Sequence, residues 1–237
     1  MKLILGLANF GKSYGINKYQ VPRDEALRIL DYARKVGIEY LETSTAYDVP
    51  DEYLNGFKVI MKVQNYRPKG DYTIMAHGFE YMKDGIFNVS VDTPEEACKA
   101  IATSMEMIEL PYNIFDNRFE FTAKVAHRMG IKIMARSVYL QGLLLMDKSP
   151  PNINAQPYLD QFGEIAHNYG LTRQEAALLF VASNDNIDYA VIGVDNVDQL
   201  KQNVETIEKW KLSDTSKLKD AFKDVPDEIR IPALWRV

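Results

Sequence analysis

Short runs of β-branched and aromatic residues alternate with amphipathic stretches along the whole chain. This alternation is typical of a parallel sheet covered by helices, an α/β protein. The pattern predicts eight strands, at residues 3–7, 38–43, 57–63, 72–77, 86–91, 107–111, 131–136 and 189–194. Eight strands in a chain of 237 residues indicate a (β/α)8 TIM barrel, which has about 250 residues. We therefore expect a single domain over residues 1–237.

The helical stretches are marked by their periodicity and by their start signals. Residues 24–36 place Leu27, Leu30, Ala33 and Val36 on one predicted face, and Gly37 ends the helix. TPEE at 93–96 and TRQE at 172–175 each combine an N-capping threonine with a glutamate three residues later. Both segments predict the first turn of a helix.

The connections after predicted strands two, three and four are short. A crossover between parallel strands needs roughly a dozen or more residues and usually holds a helix. We therefore predict that helices two to four of the barrel are shortened or missing.

The composition indicates which partners and which cellular location to expect. The net charge of −5 provides no basic surface for nucleic acid, and no apolar stretch is long enough to span a membrane. The apolar run at the amino terminus stops at Gly6, which is too short for a secretory signal. The single cysteine, Cys98, cannot form an internal disulfide, so we expect a cytoplasmic protein. His127 and His167 fall on helical patterns, and no metal site is predicted.

Several motifs, in order along most of the chain, resemble those of the aldo-keto reductase family. They begin with LGLANFG at 5–11, YG at 14–15 and ETSTAY at 42–47. The later motifs are VSVDTPEE at 89–96, LPYN at 110–113, ARSVYLQG at 135–142, IGV at 192–194 and PALW at 232–235. The resemblance implies a TIM barrel that transfers hydride between a nicotinamide cofactor and a small carbonyl or alcohol substrate.

The resemblance assigns catalytic roles to Tyr47, Lys62, His77 and Glu42. Hydride transfer leaves negative charge on the carbonyl oxygen, which then needs a proton donor, and Tyr47 matches the family's acid. Lys62 matches the lysine that lowers the pKa of the tyrosine, and His77 matches the histidine that orients the carbonyl. Glu42 stands where the family has an aspartate paired with the lysine. Taken singly, each residue also fits an ordinary structural or surface role.

The same resemblance implies a cofactor site. Its residues are Ser90, Glu109, Arg136, Ser137, Gly193, Gln199 and Asn203. The family leads us to expect NADP, with NAD as the alternative.

Three departures from the family pattern are visible. Glu42 is one methylene longer than the family's aspartate, so its carboxylate must bend back or displace the lysine. Glu109 replaces a glutamine, and an ionised carboxylate cannot donate a hydrogen bond to the nicotinamide amide. The phosphate-binding segment around Gln199 lacks an arginine. The alternative function is therefore a catalytically impaired barrel that serves as a binding or assembly protein.

The missing helices also predict an apolar patch. Side chains alternate between the two faces of a strand. If Lys62 points into the barrel, Val59, Met61 and Val63 of strand three therefore point outward. By the same rule, Ile74 and Ala76 of strand four point outward if His77 points inward. We expect a second copy of the chain, or another protein, to cover strands three and four.

Overall fold

The computed structural model describes residues 1–65, 68–209 and 216–235, and they form a closed barrel of eight parallel strands. Neighbouring strands pair in chain order, and β8 closes against β1. The strands are β1 (Lys2–Gly6), β2 (Tyr40–Ser44), β3 (Lys58–Val63), β4 (Tyr72–Ala76), β5 (Asn88–Ser90), β6 (Met107–Pro111), β7 (Lys132–Arg136) and β8 (Tyr189–Ile192). The predicted fold is confirmed. The majority of the strand ends lie one or two residues away from their predicted positions, and the others coincide with them.

Helices surround the barrel unevenly. They are α1 (Ala8–Gly11), α2 (Arg23–Lys35), α3 (Pro94–Ala102), α4 (Glu120–Arg128), α5 (Gln156–Asn168), α6 (Arg173–Ala182), α7 (Val197–Lys209), α8 (Ser216–Ala221) and α9 (Asp227–Arg230). Single 3₁₀ segments lie at Asp51–Leu54, Phe79–Tyr81, Leu140–Leu145 and Pro232–Leu234. Within the described residues, β2 to β5 are joined only by the first two of these segments and by irregular chain. Helices two to four are therefore missing, as predicted.

Local signals account for the helices that are present. Thr93 and Thr172 each accept a hydrogen bond at 3.2 Å from the backbone N–H of Glu96 and Glu175, and both capping boxes are complete. The predicted face of α2 was partly wrong. Its buried residues are Ala26, Ile29, Leu30 and Ala33, whereas Leu27 is exposed.

The prediction of an exposed apolar patch on β3 and β4 is wrong. Val59, Met61, Val63 and Ile74 are only 3–7% exposed within the single chain. They belong to the main hydrophobic cluster of the chain, which also contains Tyr53 and Leu54 of the first 3₁₀ segment, and Phe79, Tyr81 and Met82 pack against that cluster. The surface that we expected a partner to cover is thus already buried within the single chain, and association with a second chain stays a prediction without this support.

The barrel interior holds a separate, small hydrophobic cluster made of Ile4, Ile60, Met75 and Met134. Ile60 shares the inward side of β3 with Lys62, as the alternation predicts. Strand ends above this layer carry charged side chains, which places the chemistry at the carboxyl-terminal mouth of the barrel. None of the helices in the described parts of the chain has the length and apolarity needed to cross a membrane.

Candidate active site

A cleft of about 490 Å³ opens at the carboxyl-terminal mouth of the barrel. All four predicted catalytic residues line it. So do six of the seven predicted cofactor residues, namely Ser90, Glu109, Arg136, Ser137, Gly193 and Gln199. The strand ends therefore bring together residues that are far apart in the chain.

Lys62 occupies the floor of the cleft between two carboxylates. Its Nζ lies 2.7 Å from Glu42 Oε1 and 3.2 Å from Glu109 Oε2, and all three side chains are buried. Glu42 comes from β2 and Glu109 from β6, so the ammonium joins opposite sides of the barrel. Such a buried ammonium needs both partners, because an isolated charge in this environment is strongly disfavoured.

Glu42 reaches Lys62 although its side chain is longer than the family's aspartate. Gly6 pairs with Glu42 in the β1–β2 register. A Cβ atom at position 6 would lie 3.4 Å from Glu42 Oε2, which is an ordinary contact, but only 2.9 Å from Val191 Cγ1 on β8. Val191, and not the extra methylene of Glu42, therefore restricts position 6 to glycine.

The charged groups of the floor shift one another's pKa values. Burial disfavours the Lys62 ammonium, but the carboxylates of Glu109 and Glu42 outweigh it and hold the pKa of Lys62 well above its ordinary value. Burial opposes ionisation of Glu109, yet Lys62 and Arg136 bring its pKa below the ordinary value. At Glu42 burial prevails over the attraction of Lys62, and the pKa is raised. The floor therefore has a stable ammonium and an ionised Glu109.

Tyr47 lies on the loop after β2, and the chain around Gly11 packs directly against its backbone. A Cβ atom on Gly11 would lie only 1.9 Å from the carbonyl oxygen of Tyr47, so no larger residue fits. Lys62 Nζ lies 5.9 Å from the centre of the Tyr47 ring. Burial raises the pKa of Tyr47, and Lys62 offsets only part of this effect. The phenol is therefore held in its protonated form.

His77 follows β4 directly and is held by its backbone, which donates to the carbonyl oxygen of Val63 at 3.0 Å. Its Nδ1 lies 3.5 Å from Gln64 Nε2. Burial and the nearby Lys62 ammonium lower the pKa of His77, so the imidazole is neutral at neutral pH.

Arg136 closes the other side of the floor. Its guanidinium donates to the carbonyl oxygen of Val91 at 3.1 Å, pairs with Asp92, and lies 3.9 Å from Glu109. Ser90 hydrogen-bonds the carboxylate of Glu109. Arg136 and Ser90, which were predicted to bind the cofactor, thus both interact with Glu109 at the base of the cleft.

A second cavity of about 400 Å³ adjoins the first and shares Tyr139, Leu145, Gly193 and Gln199 with it. Asn203, the seventh predicted cofactor residue, lines only this second cavity. Its Oδ1 accepts hydrogen bonds from Gln174 Nε2 at 2.7 Å and from the phenol of Tyr139. The two cavities form one groove, which we call the cofactor groove.

Comparison with protein-family models identifies the family of this barrel. The model for the aldo/keto reductase family matches residues 83–217, which is more than half of the chain. The chain belongs to the aldo/keto reductase family.

Solved aldo-keto reductases share the fold. The holo form of aldo-keto reductase AKR11C1 from Bacillus halodurans aligns with a TM-score of 0.72 at 17% identity, over 98% of this chain and 95% of that one. Its apo form aligns with a TM-score of 0.64 at 16% identity, over 87% of this chain and 88% of the other. A search of curated proteins found no match.

The aldo/keto reductase site also contains residues that sequence reasoning did not assign. Tyr14, Ile16 and Tyr19 line the cleft from the loop at residues 12–22, which we call the β1 loop. The N–H of Ile16 donates to the carbonyl oxygen of Gln141 at 3.3 Å, so this loop crosses the mouth to the segment after β7. The YG motif at 14–15 was the available signal, since Gly15 has a φ of +74° where the loop turns.

No group of three or more His, Cys, Asp or Glu side chains among the described residues has the arrangement of a metal site.

Proposed function

We propose that this barrel is a nicotinamide-dependent carbonyl reductase. The observation that carries the proposal is the convergence of Tyr47, Lys62, His77 and Glu42 on one cleft that continues into a second cavity. NADPH or NADH supplies the hydride when bound, and a small aldehyde or ketone accepts it.

The cofactor groove suits a dinucleotide in size and in shape. Two connected cavities of about 490 and 400 Å³ have room for the two halves of such a molecule. Ser90, Glu109 and Ser137 would hold the nicotinamide half, and Gly193, Gln199 and Asn203 the adenosine half. Gly193 leaves its side of the groove open, because a Cβ atom there would meet nothing within 4 Å.

Tyr47 is the proton donor in this proposal. A phenol is already protonated at neutral pH, so Tyr47 can serve as the acid of a reduction. Burial raises the pKa of Tyr47, which weakens it as an acid, and the Lys62 ammonium opposes that rise.

His77 and Lys62 support this donor in different ways. The neutral His77 offers a ring N–H to the carbonyl oxygen, and the Lys62 ammonium provides positive charge as the oxygen becomes negative. Glu42 and Glu109 hold the ammonium in place. The β1 loop covers part of the mouth and limits the access of water.

Two measurements separate this proposal from the alternative of a silent binding or assembly barrel. NADPH and NADH are titrated against the protein by their fluorescence, and their oxidation is then followed with a panel of aldehydes. We expect binding and turnover, and we expect Tyr47→Phe to lower turnover by about 10²- to 10⁴-fold while dinucleotide binding is kept.

The nearby Tyr53→Phe variant is the matched control, because Tyr53 is buried in the hydrophobic cluster and does not line the cleft. Binding without turnover in the unmodified protein would favour the silent barrel. Absence of binding at millimolar dinucleotide would contradict the proposal altogether.

A further inference from the structure

The cofactor groove is lined by more carboxylates than cations. Among the described residues that line its two cavities, the cations are Lys62, Arg136 and Arg173, and the carboxylates are Glu42, Glu109, Asp92, Asp195 and Asp147. A dinucleotide already has a negatively charged pyrophosphate. The groove therefore offers an acidic surface to an anionic ligand.

Each of these three cations already has a carboxylate partner. Lys62 lies between Glu42 and Glu109, and Arg136 pairs with Asp92. In the second cavity, Arg173 Nε lies 3.6 Å from Asp147, and its Nη1 donates to the carbonyl oxygen of Leu159 at 2.6 Å. Lys62 and Arg136 therefore have little to offer a further phosphate, whereas the pair of Arg173 with Asp147, which is 94% exposed, is the weakest of the three.

Asp195 differs from the other carboxylates because its partner is neutral. Its Oδ1 accepts a hydrogen bond from Asn9 Nδ2 at 2.9 Å, and the residue lines the first cavity beside Gly193 and Gln199. Among the residues that the structure describes, no cation pairs with this carboxylate, so its charge faces the groove uncompensated by them.

Three backbone donors near this part of the groove are also occupied. Glu25 Oε1 accepts from the N–H of Val197 at 2.7 Å, and Gln199 Oε1 accepts from the N–H of Asp195 at 2.7 Å. The N–H of Gln199 donates to Asn196 Oδ1 at 3.0 Å. To use these three donors, a phosphate would have to displace their acceptors, one of which is itself a carboxylate.

We infer that the cofactor groove selects NADH over NADPH, with Asp195 and Asp147 as the residues that disfavour the larger charge. The inference rests on the proposed function. NADPH differs from NADH by one phosphate on the adenosine ribose, which adds about 1.5 to 2 negative charges at neutral pH. The family expectation of NADP is thereby reversed for this chain.

The test measures dissociation constants of NADH and NADPH by fluorescence titration, at low and at high salt. We expect NADH to bind at least about tenfold more tightly, since the extra phosphate of NADPH would be repelled by the carboxylates of the groove. Added salt should strengthen NADPH binding more than NADH binding, because it screens the repulsion.

Single substitutions test which carboxylates cause the preference for NADH. Asp195→Asn keeps the acceptor for Asn9 and should improve NADPH binding several-fold with little change for NADH, and Asp147→Asn should add to this effect. Asp198→Asn is the control, because Asp198 lies close in sequence and pairs with Lys201 at 2.8 Å but does not line either cavity. It should leave the preference unchanged.

Equal or tighter binding of NADPH would overturn the inference and leave the proposed function standing. So would an equal response of the preference to Asp195→Asn and Asp198→Asn. Absence of binding by both dinucleotides would overturn the inference together with the proposed function.

Discussion

The barrel has two unlike halves, and they divide the site between them. In the trimmed half, β2 to β5, strands are joined by short segments, whereas β5 to β8 in the full half are joined by α3 to α6. The trimmed half provides Glu42, Tyr47, Lys62 and His77, and all four precede the segment that the family model matches. The segment that the family model matches, residues 83–217, contains the full half. The proposed catalytic residues thus lie in the half whose helices are missing.

Lys62 joins these halves, and its replacement is expected to have the largest effect on stability. Lys62→Met would leave Glu42 and Glu109 buried without their shared cation, which should lower the free energy of unfolding by about 3–5 kcal/mol. Lys58→Met on the same strand is the control, because Lys58 pairs with Glu39 at the surface and its replacement should have a much smaller effect on stability. Urea unfolding at neutral pH measures both. Equal losses would mean that the two halves are not coupled through this ammonium.

The cover over the trimmed half should matter nearly as much. Leu54→Ala removes a buried side chain from the 3₁₀ segment that replaces a helix, and we expect a loss of about 2–4 kcal/mol. Leu27→Ala on α2 removes the same atoms from an exposed position and should change stability by less than about 1 kcal/mol. Thermal and urea unfolding provide the comparison. A small effect of Leu54→Ala would indicate that the short segments do not act as a wall.

The smallest effect concerns the fit of β1 against β8. Gly6→Ala should destabilise the protein by about 1–3 kcal/mol, because the new methyl group would lie 2.9 Å from Val191 Cγ1. Val191→Ala should recover part of the loss in the double variant, since it removes that methyl group. Gly193→Ala, which meets no atom within 4 Å, is the control for loss of a glycine at the mouth. If the double variant unfolds no later than Gly6→Ala alone, the two positions do not share this space.

Much of the fold was predictable because it depends on local signals. The capping threonines Thr93 and Thr172 and the strand alternation around Lys62 need only neighbouring residues to be interpreted. The short connections also showed correctly that helices two to four are missing. The motifs then predicted that the catalytic candidates lie together at the carboxyl-terminal mouth of the barrel.

The errors arose where distant contacts decide the outcome. Met61 was predicted to be bare because the sequence does not show how the short segments between the strands bury this side of the barrel. Leu27 and Ile29 both fit a helical face, and only the barrel determines which one is buried.

The assignment of Asn203 to the cofactor site stays a prediction. The sequence did not reveal that Gln174 and Tyr139 already use its side-chain oxygen.

The close approach of Gly6 to β8 has an evolutionary consequence. A Cβ atom at position 6 would lie 2.9 Å from Val191 Cγ1, closer than two such atoms come in folded proteins, whereas its distance of 3.4 Å from Glu42 Oε2 is an ordinary contact. A larger residue can therefore enter at 6 only with a smaller one at 191, and we expect these two positions of the paired strands β1 and β8 to change together.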